Sequence, residues 1–184
     1  MAIDRDAILK EVYQGAGQKA KNPLPPTIWS YDDATADYEY NPDKAKSLLA
    51  EAGYPDGFEM ELDAEPSLKE IAEVLAGQLS VLGIKVKVNI MESAARAAKY
   101  EPGFSQTCLS SWGNSEADAD GMLSKQFYSK RYGCDLLNPD KGKTGYGDTI
   151  LGCYYSGYGN AEVDAAIEAG ARTVDPKQRQ EYYA

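Results

Sequence analysis

Asn41-Pro-Asp-Lys-Ala-Lys-Ser-Leu-Leu-Ala-Glu-Ala-Gly53, then Phe58-Glu-Met-Glu-Leu62, then a helical pattern after Ser67, then Gly83-Ile-Lys-Val-Lys-Val-Asn-Ile90: this stretch decides the fold. Asn41 is suited to cap a helix, and Pro42 suits the first helical turn, where its missing N–H has no partner to lose. Gly53 can adopt the left-handed conformation that stops a helix. Phe58 to Leu62 alternates as a strand. Ser67 and Glu70 have the spacing of a capping box, followed by Ile71, Val74, Leu75, Leu79 and Leu82 at helical intervals and by Gly83 as a stop. Ile84, Val86, Val88 and Ile90 then alternate with Lys85, Lys87 and Asn89, which predicts a strand with one buried face.

Outward from this stretch the same alternation continues. Asp4 to Tyr13 predicts a helix with Ile8, Leu9 and Val12 on one face. Gly15 to Tyr40 is irregular, because three prolines within Pro23–Pro26 exclude helix and central strand. Ser93 to Tyr100 predicts a short helix, Phe104 to Trp112 a third strand, and Ala117 to Tyr128 a helix packing Met122, Leu123 and Phe127 inward. Residues 129–159 read as a second long loop. Asn160 caps a helix carrying Val163, Ala166, Ile167 and Ala171, and Asp175-Pro176 opens a last one. Strands separated by helices of this length make βαβ units, so the fold class is α/β, a mainly parallel sheet with helices on both faces. The whole chain, 1–184, is expected to form a single α/β lobe.

With 184 residues the chain can build a genuine core, and 43% hydrophobic and 26% charged residues are ordinary for a globular protein. The net charge of −10 disfavours nucleic acid and anionic membranes as partners. No apolar run approaches the ~20 residues of a membrane span. Met1 leads directly into a helical pattern with no signal-peptide layout. The protein is therefore expected to be cytoplasmic, or its leader was removed or never included.

Histidine is absent, which removes the commonest general base and the commonest transition-metal ligand. A Ser-His-Asp triad is impossible, and no Gly-x-Ser-x-Gly elbow occurs. Gly142-Lys-Thr144 lacks the earlier glycine of a phosphate loop, since Leu137 stands there. Glu116, Asp118 and Asp120 lack the calcium-loop pattern and read as a helix N-terminus stabilised by acids. No cofactor, metal site or catalytic residue is expected. Cys134 and Cys153 bracket a Gly- and Tyr-rich loop; a disulfide there would close about twenty residues, stabilise the loop by roughly 3 kcal/mol and imply an oxidising compartment. Two inert thiols are the alternative. Cys108 reads as a small buried residue.

Ligands on parallel sheets bind beyond the carboxyl ends of the strands. Those ends are Asp63-Ala-Glu65, Met91-Glu-Ser93 and Trp112-Gly-Asn-Ser115. Trp112 reads either as a core residue or as an aromatic wall for a ligand, with Gly113 leaving room and Asn114 and Ser115 offering hydrogen bonds. Asp118 and Asp120 complete the candidate binding set.

Several segments together resemble the C-terminal lobe of extracellular solute-binding proteins of ABC importers, the class for dipeptides, oligopeptides, glutathione and nickel. They are Ala2 to Ile8, Asn22-Pro-Leu-Pro-Pro26, Tyr40 to Pro55, Leu79 to Val86, Ser111-Trp-Gly113 and Tyr158 to Ile167, in the family's order. The resemblance implies one lobe of a type II periplasmic-binding-protein fold, in a non-enzymatic protein that closes on a solute and delivers it to the permease subunits of the membrane transporter. It implies a periplasmic or extracellular location, with lipoprotein anchoring in some relatives. Full members are far longer, so the chain is expected to be an excised or proteolytic piece. Trp112 carries over as a wall of the site. Peptide-binding members often place an amine-holding aspartate three residues later, where this chain has Ser115; that departure raises a glutathione-like, opine or sugar solute beside the peptide.

Two other classes fit some of the residues. Glu116 and Asp120 could serve as the carboxylate pair of a glycoside hydrolase. The tyrosine-rich loop from Tyr128 to Tyr158 could serve a pure interaction domain.

Overall fold

Asn41 caps as its place before Pro42 predicts: its side-chain oxygen accepts the Lys44 N–H at 2.8 Å, opening helix α2 (Pro42–Glu51), and Gly53 takes φ +89° just beyond the end. Helix α1 (Arg5–Glu11) is capped by Asp4, which accepts from the Ala7 N–H at 2.9 Å. Gln78 clips the Asp4 backbone from across the fold, accepting its N–H at 2.8 Å and donating to its carbonyl at 3.2 Å. The computed structural model describes residues 1–100, 107–111, 113, 116–130 and 159–183.

Strand β1 (Glu59–Ala64) pairs in parallel with β2 (Lys85–Ile90), Glu59 opposite Lys85 through Ala64 opposite Ile90. On its other side β1 pairs with β3 (Cys108–Leu109), again in parallel, Asp63 opposite Cys108. The order is therefore β2-β1-β3. Helix α3 (Lys69–Ser80) makes the crossover from β1 to β2. One sheet face is apolar: Leu62, Ala64, Val86 and Val88 pack with Ala72 and Leu75 of α3, and Met60 and Ile84 join Ala45 and Leu49 of α2. The other face carries a polar ladder, with Lys85 bonded to Glu59 at 3.2 Å and Lys87 to Glu61 at 3.0 Å. Exposed pairs like these contribute about 1 kcal/mol or less each; the period-two pattern, not the ladder, orients the strands.

Several details differ from the sequence reading: among the described residues the third strand spans only Cys108–Leu109, and Cys108 is half-buried, not buried. The Ser67–Glu70 capping box does not form. Pro66 starts a 3-10 turn (Pro66–Leu68), so Ser67 already sits within a turn and lacks the extended backbone a capping serine needs; Leu68 occupies the cap position with no side-chain bond. Strand β1 is displaced toward its carboxyl end, because its partners on both sides, Ile90 and Leu109, pair with Ala64. Ala171 is exposed, and the buried face of its helix is built instead by Asp164, Ile167 and Gly170.

Contacts divide the chain into two compact units. One comprises the described residues of Met1–Lys19, Ala36–Arg96 and Ser105–Ser111, and holds the sheet with α1, α2 and α3. The other comprises those of Ala20–Thr35, Ala97–Phe104 and Trp112–Ala184. The boundary between Arg96 and Ala97 falls within helix α4 (Ser93–Tyr100). The second unit contains α5 (Ala119–Gln126), α6 (Ala161–Arg172) and α7 (Pro176–Tyr183). Its core gathers Ala119 and Met122 from α5, Tyr183 from α7, and Leu24 and Ile28 from the proline-rich segment. That segment is irregular, yet it supplies two of the unit's buried apolar residues.

Candidate functional site

Asp118 is the best-defined of the predicted site residues. It is extended at φ −128°, caps α5, and accepts the Asp120 N–H at 2.9 Å. Both carboxylate oxygens also receive Arg179 of α7, Nη1 to Oδ2 at 2.6 Å and Nη2 to Oδ1 at 2.9 Å. This is the paired fork geometry in which a guanidinium binds a carboxylate most strongly. Burial opposes ionisation of Asp118, but the hydrogen bonds from Arg179 and from the Asp120 N–H outweigh it and hold the carboxyl below its ordinary range.

Arg179 is itself fully oriented. Its Nε donates to the Gly170 carbonyl at 3.0 Å, and its guanidinium lies 5.0 Å from the centre of the Trp29 ring and 5.2 Å from that of Tyr183. Both rings present a cation–π face at that distance. Tyr183 donates its hydroxyl to Asp120 at 2.9 Å. Burial, together with that bond, pushes the phenol up to about 12. Trp29 closes the arrangement from the backbone side: its N–H donates to the Ala117 carbonyl at 3.3 Å, and it forms an isolated parallel bridge with Asp118. Ala117 is left-handed at φ +50° and Ser30 at φ +76°. A conformation of this kind costs a non-glycine residue about 1–2 kcal/mol and here is held by the contacts around it.

Of the remaining predicted residues, Gly113 is described, and a Cβ added there would meet nothing within 4 Å. Trp112, Asn114, Ser115, Cys134 and Cys153 lie outside the described residues. Glu116 is bonded to Lys125 at 3.0 Å. The structure thus brings Asp118 and Asp120 together, each engaged by a side chain of α7, and gives Glu116 a different partner. No group of three metal-binding side chains occurs among the described residues. Sequence reasoning missed Trp29, Arg179 and Tyr183. The available signal was the four-residue spacing of Arg179 and Tyr183, which puts both on one face of a helix otherwise polar along its length.

The strand ends of the first unit carry a second polar cluster. Asp63 is fully buried and accepts from Asn89 at 2.9 Å. Arg96, also buried, pairs with Glu65 at 2.5 Å and points Nη1 at the Cys108 sulfur, 3.6 Å away. Within the second unit, a cavity of ≈ 400 Å³ is lined mainly by apolar side chains, among them Leu24, Phe127, Val163, Ile167 and Tyr182. Of the site residues predicted from sequence, none among the described ones lines it, but Tyr183, which bonds Asp120, does.

Among the described residues, the entry to α5 is anchored by Arg179 and Tyr183 of α7 and by Trp29. Residues 1–134 match the family described as "Bacterial extracellular solute-binding proteins, family 5 Middle". Heme-binding protein A of Haemophilus influenzae is 34% identical over 189 residues, spanning 99% of this chain and 31% of the relative. The dipeptide-binding protein of Escherichia coli is 37% identical over 133 residues, spanning 68% of this chain and 25% of the relative. The periplasmic binding protein DppA of Helicobacter pylori, an ABC transporter-associated protein solved with the peptide STSA, superposes with a TM-score of 0.81 at 30% identity, over 99% of this chain and 33% of that one. The chain thus spans a third or less of the length of these relatives.

Proposed function

Because this chain belongs to the bacterial extracellular solute-binding proteins of family 5, we propose that it is one lobe of the solute-binding component of an ABC importer. The complete protein would capture a peptide or similar small polar solute between two lobes and hand it to the permease subunits in the membrane. Its place would be periplasmic or extracellular. The observation that carries this reading is the family match, joined to two relatives named for peptides. Those relatives are named as binding proteins, and Glu116 and Asp120 have internal partners, so a carboxylate-based hydrolase has little support.

In this reading the solute meets the segment from Trp112 to Ser115, which follows the carboxyl end of β3. Trp112 supplies an aromatic wall, Gly113 leaves the approach open, and Asn114 and Ser115 donate or accept hydrogen bonds. Asp118 and Asp120 contribute by holding the turn, since their carboxylates are engaged with α7. A second reading keeps the transport function but replaces the peptide by an opine or a sugar. Ser115 supports it, because a serine cannot neutralise a peptide's terminal ammonium as an aspartate would.

Calorimetry on the intact binding protein with STSA, reduced glutathione, haem, an opine and a disaccharide tests both. Tight binding of STSA, weakened about tenfold or more by Trp112→Ala, is expected; tenfold corresponds to about 1.4 kcal/mol. Binding of the sugar or opine alone would move the assignment to the second reading. Unchanged affinity in the Trp112→Ala variant would remove Trp112 from the site.

A further inference from the structure

Among the described residues of the second unit, the turn that leads into α5 is constrained by groups that come from far along the chain. Arg179 lies 61 residues from Asp118, and Tyr183 lies 63 from Asp120. Trp29 approaches the same turn from the proline-rich segment, through a hydrogen bond to the Ala117 carbonyl and a bridge to Asp118. Ala117 sits there in a left-handed conformation. The guanidinium is held by two carboxylate bonds, a carbonyl and two aromatic faces. A group fixed at so many points transmits a fixed backbone geometry to the residues beside it.

We propose that Arg179, through Asp118 and the Trp29 ring, is a positioning residue that sets the backbone from Ala117 to Asp120 at the entry to α5, with Tyr183 acting in parallel through Asp120. The proposal rests on the reading that the solute meets the neighbouring segment from Trp112 to Ser115. Arg179 acts by fixing Asp118, the residue that opens α5. Lysine cannot replace it, because a single ammonium cannot supply two parallel donors to Asp118 while donating to the Gly170 carbonyl.

The test uses the intact binding protein and the variants Arg179→Lys, Arg179→Met and Tyr183→Phe, with Leu82→Ala as a control in the core of the other unit, where Leu82 is buried. Amide hydrogen exchange reports the turn without any ligand; calorimetry with STSA reports its consequence. Expected for Arg179→Met is loss of protection at the Trp29 and Asp120 amides, at least tenfold weaker STSA binding and unchanged far-UV circular dichroism. Arg179→Lys should fall between it and the wild type, and Tyr183→Phe should weaken binding severalfold. Leu82→Ala should lower the melting temperature at least as much while leaving affinity within twofold. Unchanged protection at the two amides overturns the proposal, and so does lost protection with unchanged affinity. If the unmodified protein binds no STSA, glutathione, haem, opine or sugar, the solute reading fails and the proposal with it. The exchange data then still show whether α7 holds the turn, which separates the two failures.

Discussion

Asp164 and Asp118 are both acids at helix N-termini in the second unit, and their surroundings give them different parts. Asp164, in the first turn of α6, is 2% exposed; it accepts the Ser129 N–H at 2.8 Å on one oxygen and the Ser129 hydroxyl on the other. Ser129 is itself fully buried. Asp164→Ala therefore strands a buried N–H, and unfolding in urea should show a loss of about 1–3 kcal/mol. Asp118 instead makes stability depend on pH. Its folded value lies below its unfolded value near 3.8. Between those values the unfolded chain holds more protons, so the stabilisation is complete above the unfolded value and is lost as pH falls through the folded one. The difference in melting temperature between wild type and Asp118→Asn should be largest at neutral pH and shrink below about pH 4; a constant difference down to pH 2 would count against the clamp.

At the scale of elements, the turns before β1 and β2 meet backbone to backbone. A Cβ at Gly57 would lie 2.2 Å from the Gly83 carbonyl carbon, and one at Gly83 would lie 2.3 Å from the Asp56 carbonyl oxygen, with Gly83 at φ +79°. Neither obstacle is a side chain that can swing away. Gly83→Ala should cost at least ~2 kcal/mol in chemical denaturation. Gly77→Ala, on the exposed face of α3 with nothing within 4 Å of the added carbon, should instead stabilise by up to ~1 kcal/mol. Most of these elements were legible in the sequence because each is bounded by a residue with one dominant local preference: Asn41, Pro42, Gly53, Gly83, Asn160, Asp175. The capping box at Ser67 was misread for the same kind of reason. Pro66 has an equally strong local preference, and it acts one residue earlier.

For the molecule as a whole, the family assignment makes the cysteines informative. A periplasmic or extracellular location permits a Cys134–Cys153 bridge, and Cys108 is a half-buried free thiol facing Arg96. Denaturing the oxidised protein without reductant should expose one reactive thiol. Three would exclude the bridge.

The sequence by itself determined the α/β class and the parallel direction of β1 and β2, because caps, strand alternation and turn residues act within a few positions of one another; the family came from the resemblance of whole segments. It also placed Asp118 among the acids of a helix N-terminus. Only the tertiary structure decided what that acid does. Arg179 and Trp29 reach it from opposite ends of the chain, and local periodicity carries no signal for a contact across sixty or ninety residues. That contact turned a presumed solvated acid into one end of a guanidinium clamp.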